Sequence, residues 1–77
     1  MGTKVKHAGQ TLVDMWMVEG RARGADAMLV IRYISLDEDY PTFYESVDAM
    51  ERARQRIEET AYLEVVSVHY LVEYGHA

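Results

Sequence analysis

The chain has 77 residues, no cysteine and a net charge of −5, with 13 acidic against eight basic side chains. A chain of this length makes one domain, expected to span residues 1–77, and it buries only about 60% of its unfolded surface. The lack of cysteine excludes a disulfide framework, a thiolate zinc site and a cysteine nucleophile. The apolar runs are too short to cross a membrane and the N-terminus lacks the apolar core of a signal peptide. We therefore expect a cytoplasmic protein with no membrane partner.

The first 24 residues predict an N-terminal strand followed by a turn. Residues 1–9 are polar and are either a mobile arm or the start of that strand. Residues 10–18 predict a strand, because alternate residues around Trp16 would point to opposite faces and both faces would carry apolar side chains. This pattern is typical of a strand with two covered faces. Residues 20–24 then predict a turn, because two glycines flank two arginines there.

Two later segments also predict strands. Residues 26–35 predict the second strand, paired with the first as an antiparallel hairpin, and the run 28–34 is apolar at every position except Arg32. Residues 63–73 predict the last strand, because apolar and polar side chains alternate there with Val66 among those that face the core.

The segment between these strands predicts the helix. Thr42 followed by Glu45 matches a capping box, in which the hydroxyl and the carboxylate each accept a hydrogen bond from a free amide at the helix start. Pro41 sets the entry of the chain and disfavours an earlier start. Apolar residues then recur at helical spacing as far as Ala61, with Met50 in the stripe that should be buried.

Together these elements predict an α+β fold in the order strand–strand–helix–strand. Placing the last strand beside the second strand would require a parallel pair and a right-handed crossover. We favour a three-stranded antiparallel sheet of order 3-1-2, in which the first strand is central and the helix lies on one face.

The predicted sheet has more apolar surface than one helix can cover. A single helix covers one face, so the other face needs a further layer, and a second copy of the chain is the simplest one. A homodimer is therefore expected. Its predicted interface consists of Trp16, Val30, Arg32, Ile34, His69 and Leu71.

No residue pattern indicates catalysis, a cofactor or a metal site. The histidines His7, His69 and His76 lack the spacing of metal ligands. The acidic run 37–39 is not followed by the central glycine and terminal glutamate of a calcium loop. The serines lack a nucleophile motif, and the carboxylates lie where solvent is expected, without the burial that tunes a general acid. We therefore predict a protein that is not an enzyme and has no catalytic residue, cofactor or metal.

Charge is distributed unevenly along the chain. Residues 1–24 carry four bases and two acids, whereas residues 37–51 carry six acids and no base. A helix N-terminus favours one or two acids, and the excess should attract a basic surface. We predict a protein partner with a basic surface. The residues predicted to bind it are Asp37, Glu38, Asp39, Glu45 and Asp48.

Two other functions remain open. One is a structural homo-oligomer that pairs through its open sheet face. The other is a weak nucleic-acid binder that uses the basic turn at residues 20–24 with Lys4 and Lys6. Direct nucleic-acid binding is not expected, because the net negative charge repels phosphate.

In length, acidity, lack of cysteine and small sheet-plus-helix fold, the chain resembles the proteins that phages encode to block host machinery, including anti-CRISPR proteins. That resemblance implies inhibition by binding inside a host cell. Acidic side chains would occupy a basic nucleic-acid channel, or the protein would mask a partner's surface by its bulk.

Overall fold

The computed structural model describes residues 7–72, which form one three-stranded sheet and two helices. The elements in this part of the chain are helix α1 (Gln10–Ala22), strand β1 (Ala27–Tyr33), strand β2 (Glu38–Tyr44), helix α2 (Val47–Glu58) and strand β3 (Leu63–Tyr70). Both strand pairs are antiparallel and the order is β2-β1-β3. The predicted α+β class, the antiparallel sheet with its first strand in the centre and the strand–strand–helix–strand order are confirmed, with helix α1 in front of them. The segment at the centre differs from the predicted one: it is β1, which was predicted as the second strand, and not residues 10–18.

Several predictions concern residues that the structure does not describe. They are the first part of the predicted arm, with Lys4 and Lys6, the end of the last predicted strand at Glu73, and His76 beyond that strand. Residues 7–9, which are described, lead into α1 and belong to no strand.

Residues 10–18 form part of α1, so the strand predicted there is wrong. The buried residues of α1 are Val13, Trp16 and Gly20, which are three and four positions apart and therefore share one side of a helix. A segment with apolar residues at most positions satisfies the strand period and the helix period equally well. A helix forms because it places Val13, Trp16 and Gly20 on one side, where they cover a face of the sheet.

The turn predicted at residues 20–24 is the C-terminal end of α1. Gly24 has a φ of 79°, in the left-handed region that costs glycine no steric penalty. Its N–H donates to the Arg21 carbonyl (3.0 Å), and the Ala25 N–H donates to the Gly20 carbonyl (2.9 Å). These two bonds make a Schellman motif, so Gly24 ends a helix and does not join two strands.

Residues 38–44 form the edge strand β2, although they were predicted as a loop and the start of the helix. Thr42 lies within β2, where its hydroxyl donates to the Leu29 carbonyl (3.3 Å). Pro41 lies opposite Val30 in the same strand pair. Proline is tolerated in this position because an edge strand has one side without ladder partners, and no N–H is needed there.

Helix α2 therefore begins after Thr42, and the predicted capping box of Thr42 and Glu45 is wrong. The N-cap is Ser46, whose hydroxyl oxygen accepts a hydrogen bond from the Ala49 N–H at 3.1 Å. The helix ends at Glu58, a few residues before the predicted end at Ala61.

Strand β3 contains a bulge at Val66. Consecutive residues of β1 lie opposite Ser67 and Val65, so Val66 is an extra residue between them. The bulge puts Val65 and Val68 on the same face, where both pack on the α2 side, and leaves Val66 exposed. The prediction that Val66 faces the core is wrong, because strict alternation does not continue through a bulge.

Helix α2 covers one face of the sheet, as predicted for the helix. Met50 is fully buried and packs with Leu29 and Ile31 of β1. Val47 and Ile57, near the two ends of α2, pack against the same cluster.

Helix α1 covers the face that was predicted to be open. Trp16 is 4% exposed and lies in one cluster with Val13, Val30 and Leu71. At Gly20, a Cβ atom would lie 2.6 Å from Leu71 Cδ1, so glycine allows α1 to lie directly on the sheet. The premise of an uncovered sheet face is wrong, and Trp16, Val30 and Leu71 are core residues of the chain itself.

Candidate functional site

The acidic residues predicted to bind a partner lie in two places. Asp37, Glu38 and Asp39 lie where β1 turns into β2, whereas Glu45 and Asp48 lie beyond the other end of β2. A strand of seven residues separates the two groups by about 20 Å. The structure therefore brings together only the first three.

Asp39 differs from its acidic neighbours because it is only 1% exposed. It lies opposite Arg32, whose Nε donates to Asp39 Oδ1 (2.7 Å) and whose Nη2 donates to Oδ2 (3.2 Å). The Ala8 N–H, just before α1, also donates to Oδ2 (3.0 Å). Asp39 thus ties the start of α1 to the sheet. The sequence placed it in a solvated loop, whereas its position in β2 removes it from the surface that a partner can reach.

The ionisation of Asp39 follows from these contacts. Burial alone would raise the pKa of Asp39, but the hydrogen bonds from Arg32 and Ala8 and the charge of Arg32 outweigh burial and hold the pKa below its ordinary value. The N-cap residue of α1, Gly9, has no capping side chain, and the first turn of α1 contains no acid. The Asp39 carboxylate therefore supplies the negative charge that a helix start favours.

The turn between β1 and β2 presents Asp37 at one end of the sheet. Asp37 has a φ of 56°, a left-handed conformation that aspartate tolerates better than most side chains. Its N–H donates to the Tyr33 carbonyl (2.8 Å), and its Oδ1 lies 2.9 Å from His7 Nε2. The turn thus fixes the position of an exposed carboxylate.

Large apolar side chains are exposed beside Asp37. Ile34 and Leu36 belong to the turn and Tyr62 precedes β3; they are 48%, 49% and 57% exposed. The Ile34 N–H donates to the Tyr62 carbonyl (3.1 Å), and the Tyr62 ring centre lies 5.8 Å from that of Tyr33. We treat Ile34, Leu36 and Tyr62 as one patch, because Ile34 is hydrogen-bonded to Tyr62 and Leu36 follows two residues later in the same turn. Ile34 was predicted as an interface residue, whereas Leu36 and Tyr62 were missed.

Carboxylates border this apolar patch. Glu38 lies opposite Tyr33 on β2, and Glu64 lies opposite Arg32 on β3. An apolar centre with a polar border is the usual composition of a protein-binding surface. We call this region the turn surface; it consists of Ile34, Leu36, Asp37, Glu38, Tyr62 and Glu64. The signal that could have revealed Leu36 and Tyr62 is the presence of large apolar residues outside any periodic segment.

Among the basic residues predicted to bind nucleic acid, Arg23 has partners within the chain. Arg23 Nη2 lies 2.6 Å from Glu19 Oε2, and its guanidinium lies 4.8 Å from the centre of the Phe43 ring. Arg21 lies in the last turn of α1, where a cation is favoured by the helix dipole.

Two polar side chains pair on β3 beneath α1. Ser67 Oγ lies 2.8 Å from His69 Nε2. Burial lowers the pKa of His69, and the negative charge of Asp14 on α1 opposes that shift only in part. Residues two apart on a strand point to the same face, so the pair follows from strand geometry. Because the pKa of His69 is lowered in the folded chain, we expect this residue to make the stability of the protein depend on pH.

We expect the free energy of unfolding to decrease as the pH falls below the ordinary histidine pKa of 6.5. The unfolded chain takes up the His69 proton at a higher pH than the folded chain does, so the stability that is complete above pH 6.5 is lost as the pH falls through the native pKa. Urea unfolding between about pH 7 and about pH 5 measures this loss. His69→Gln, which retains a donor for Ser67, should show a smaller loss; an equal loss in both proteins would assign it to another group.

A depression and a set of charge pairs lie on the outer side of α2. The outer side of α2 has a shallow depression of about 290 Å³ lined by Glu51, Arg52, Arg54, Gln55 and Glu58. Arg54 pairs with Glu51 (3.5 Å) and Glu58 (3.3 Å), as exposed helix charges commonly do. Within residues 7–72, no cluster of acidic and histidine side chains is arranged to hold a metal ion. Neither helix in that range has the length and apolar character that crossing a membrane requires.

A comparison with protein families, curated proteins and solved structures finds no match to this chain.

Proposed function

We propose that this protein is a non-catalytic protein-binding module that docks on a basic protein surface through the turn surface. The observation that carries this proposal is the exposed apolar patch of Ile34, Leu36 and Tyr62 beside the Asp37 carboxylate. Single exposed apolar residues are common on proteins, but adjacent ones with an acidic border fit the centre and rim of an interface.

The charge of the chain supports a basic partner. The chain carries a net charge of −5, and Asp37 and Glu38 supply carboxylates beside the patch, whereas the Glu64 carboxylate lies 4.0 Å from Arg32 Nη1. Complementary charge raises the rate of association and rejects acidic competitors. The same field repels phosphate backbones, so a protein fits this surface better than a nucleic acid does.

A finer form of the proposal is an inhibitor of the phage type, similar in action to anti-CRISPR proteins. Its support is the length, charge and cysteine content of the chain. In this form the partner's basic surface binds nucleic acid in the cytoplasm, and docking of the turn surface covers it. Competition between nucleic acid and this protein for the partner, followed by fluorescence anisotropy, would distinguish an inhibitor from an adaptor that leaves nucleic-acid binding unchanged.

We expect Asp37→Asn to slow association with the partner and to reduce its dependence on salt. Asparagine tolerates the left-handed conformation of residue 37, so the turn is retained while the charge is removed. Tyr62→Ala should raise the dissociation rate by about tenfold or more, because exposed aromatic side chains are common interface anchors. The partner would be captured from a lysate of the source cells, and its kinetics with each variant measured at two salt concentrations.

Glu45→Gln provides the matched control. It removes one exposed carboxylate at the other end of β2 and leaves the turn surface intact. If Glu45→Gln slowed association as much as Asp37→Asn did, net charge alone would explain the effect. If Tyr62→Ala left dissociation unchanged, the turn surface would not be the binding site.

A further inference from the structure

Helix α1 has an outer face, in addition to the face that covers the sheet, on which one threonine precedes three apolar residues. Thr11, Met15, Val18 and Ala22 are all exposed, and they are four, three and four positions apart, so they form one line along the helix. Met15 and Val18 are 61% and 64% exposed. The residues that bury α1 against the sheet lie on its opposite side. A helix with this spacing of outer apolar residues is suited to packing against another helix.

The charges beside this line fit a second copy of the same helix. Asp14 and Arg21 are seven positions apart and therefore lie on the same flank of the outer face. Within the described residues, neither forms a salt bridge, and the Asp14 carboxylate accepts a hydrogen bond from the neutral Gln10 amide (2.7 Å). Glu19 lies on the other flank and already pairs with Arg23.

We propose that α1 packs antiparallel against α1 of a second copy and forms a two-fold symmetric homodimer. In this arrangement Met15 of each copy faces Val18 of the other, and Asp14 of each copy faces Arg21 of the other, so the charge pair occurs twice. A parallel arrangement would place Asp14 beside Glu19 of the other copy, where like charges repel. The antiparallel orientation is therefore the self-complementary one.

The size of the contact predicts a weak dimer. Helix α1 has 13 residues and is about 20 Å long, so two such helices bury less than the roughly 1,600 Å² of a standard stable interface. We expect a dissociation constant on the order of 10–100 µM. The dimer goes beyond the proposed function, because α1 directs its outer face away from the sheet and each copy keeps its own turn surface.

Sedimentation equilibrium of the full chain over a range of concentrations tests the dimer. Val18→Glu should raise the dissociation constant by at least about tenfold, because it places a charge in the contact. Asp14→Arg should weaken the dimer severalfold, and the double variant Asp14→Arg with Arg21→Asp should restore it, because the charge pair is re-formed with its signs exchanged. Circular dichroism would confirm that each variant is folded.

Val66→Glu is the matched control, since it changes an exposed valine on β3 in the same way. Val66→Glu should leave the dimer unchanged. Dissociation by Val66→Glu would place the contact at the edge of β3 and overturn the proposal. A wild-type chain that remains monomeric at millimolar concentration, or a dimer that Val18→Glu does not weaken, would overturn it as well. None of these results depends on a partner protein, so the test is separate from that of the turn surface.

Discussion

Replacing Trp16 with alanine is expected to lower the free energy of unfolding by about 3–5 kcal/mol, the range found when a buried tryptophan or phenylalanine is truncated. Trp16 is 4% exposed and packs in the cluster that joins α1 to the sheet, with Val30 and Leu71. Truncation leaves a cavity between the helix and the sheet, and the rigid strand β1 limits how far it can close. Urea unfolding followed by circular dichroism, at concentrations where the monomer predominates, measures the loss.

Met15→Ala is the control for this prediction. Met15 lies on the outer face of α1, so its truncation should change the stability of the monomer by less than about 0.5 kcal/mol. If Trp16→Ala had no larger effect than Met15→Ala, α1 would not cover the sheet. In that case the open sheet face predicted from the sequence would exist after all.

Asp39→Asn is expected to lower the free energy of unfolding by about 2–4 kcal/mol. Asp39 is buried and accepts hydrogen bonds from Arg32 Nε (2.7 Å), Arg32 Nη2 (3.2 Å) and the Ala8 N–H (3.0 Å). An asparagine has one acceptor oxygen and no charge. It leaves the guanidinium of Arg32 with only the more distant Glu64 carboxylate (4.0 Å) as a counter-ion, and it leaves the start of α1 without its acid.

The same substitution should change how the free energy of unfolding falls at acid pH. The native pKa of Asp39 lies below its ordinary value, so its contribution is complete above that value and is lost as the pH falls through the native pKa. The wild-type protein should therefore lose more stability than Asp39→Asn between about pH 5 and about pH 2. Parallel pH curves for wild type and Asp39→Asn would contradict the assignment of a stabilising ion pair.

A strand with two covered faces at residues 28–34 could be predicted from local sequence, although the prediction placed residues 10–18, and not this strand, at the centre of the sheet. Seven consecutive residues with a single charge, from Met28 to Ile34, require a strand with both faces covered, and β1 is such a strand. The apolar stripe around Met50 likewise predicts a helix on one face, and α2 occupies that place. Part of the turn surface could be predicted in the same way, because Asp37 and Glu38 belong to a run of three acidic residues that stands out in the sequence.

The identity of the neighbouring elements could be decided only by tertiary contacts. Around Trp16 the apolar residues fit both the strand period and the helix period. A helix forms there because it packs on the face of β1 that α2 does not cover. At Thr42 a capping box is worth about 1 kcal/mol, whereas strand β2 supplies hydrogen bonds along one side of β1 over seven residue pairs. Burial of Asp39 depends on the same pairing, since only the register of β1 and β2 places it opposite Arg32. The sequence alone thus determined that residues 28–34 form a strand covered on both faces, because a run of apolar side chains must be buried. Only the folded chain places that strand, and not residues 10–18, at the centre of the sheet. The folded chain alone determined which segments cover it, because contacts between distant residues outweigh local preferences of about 1 kcal/mol.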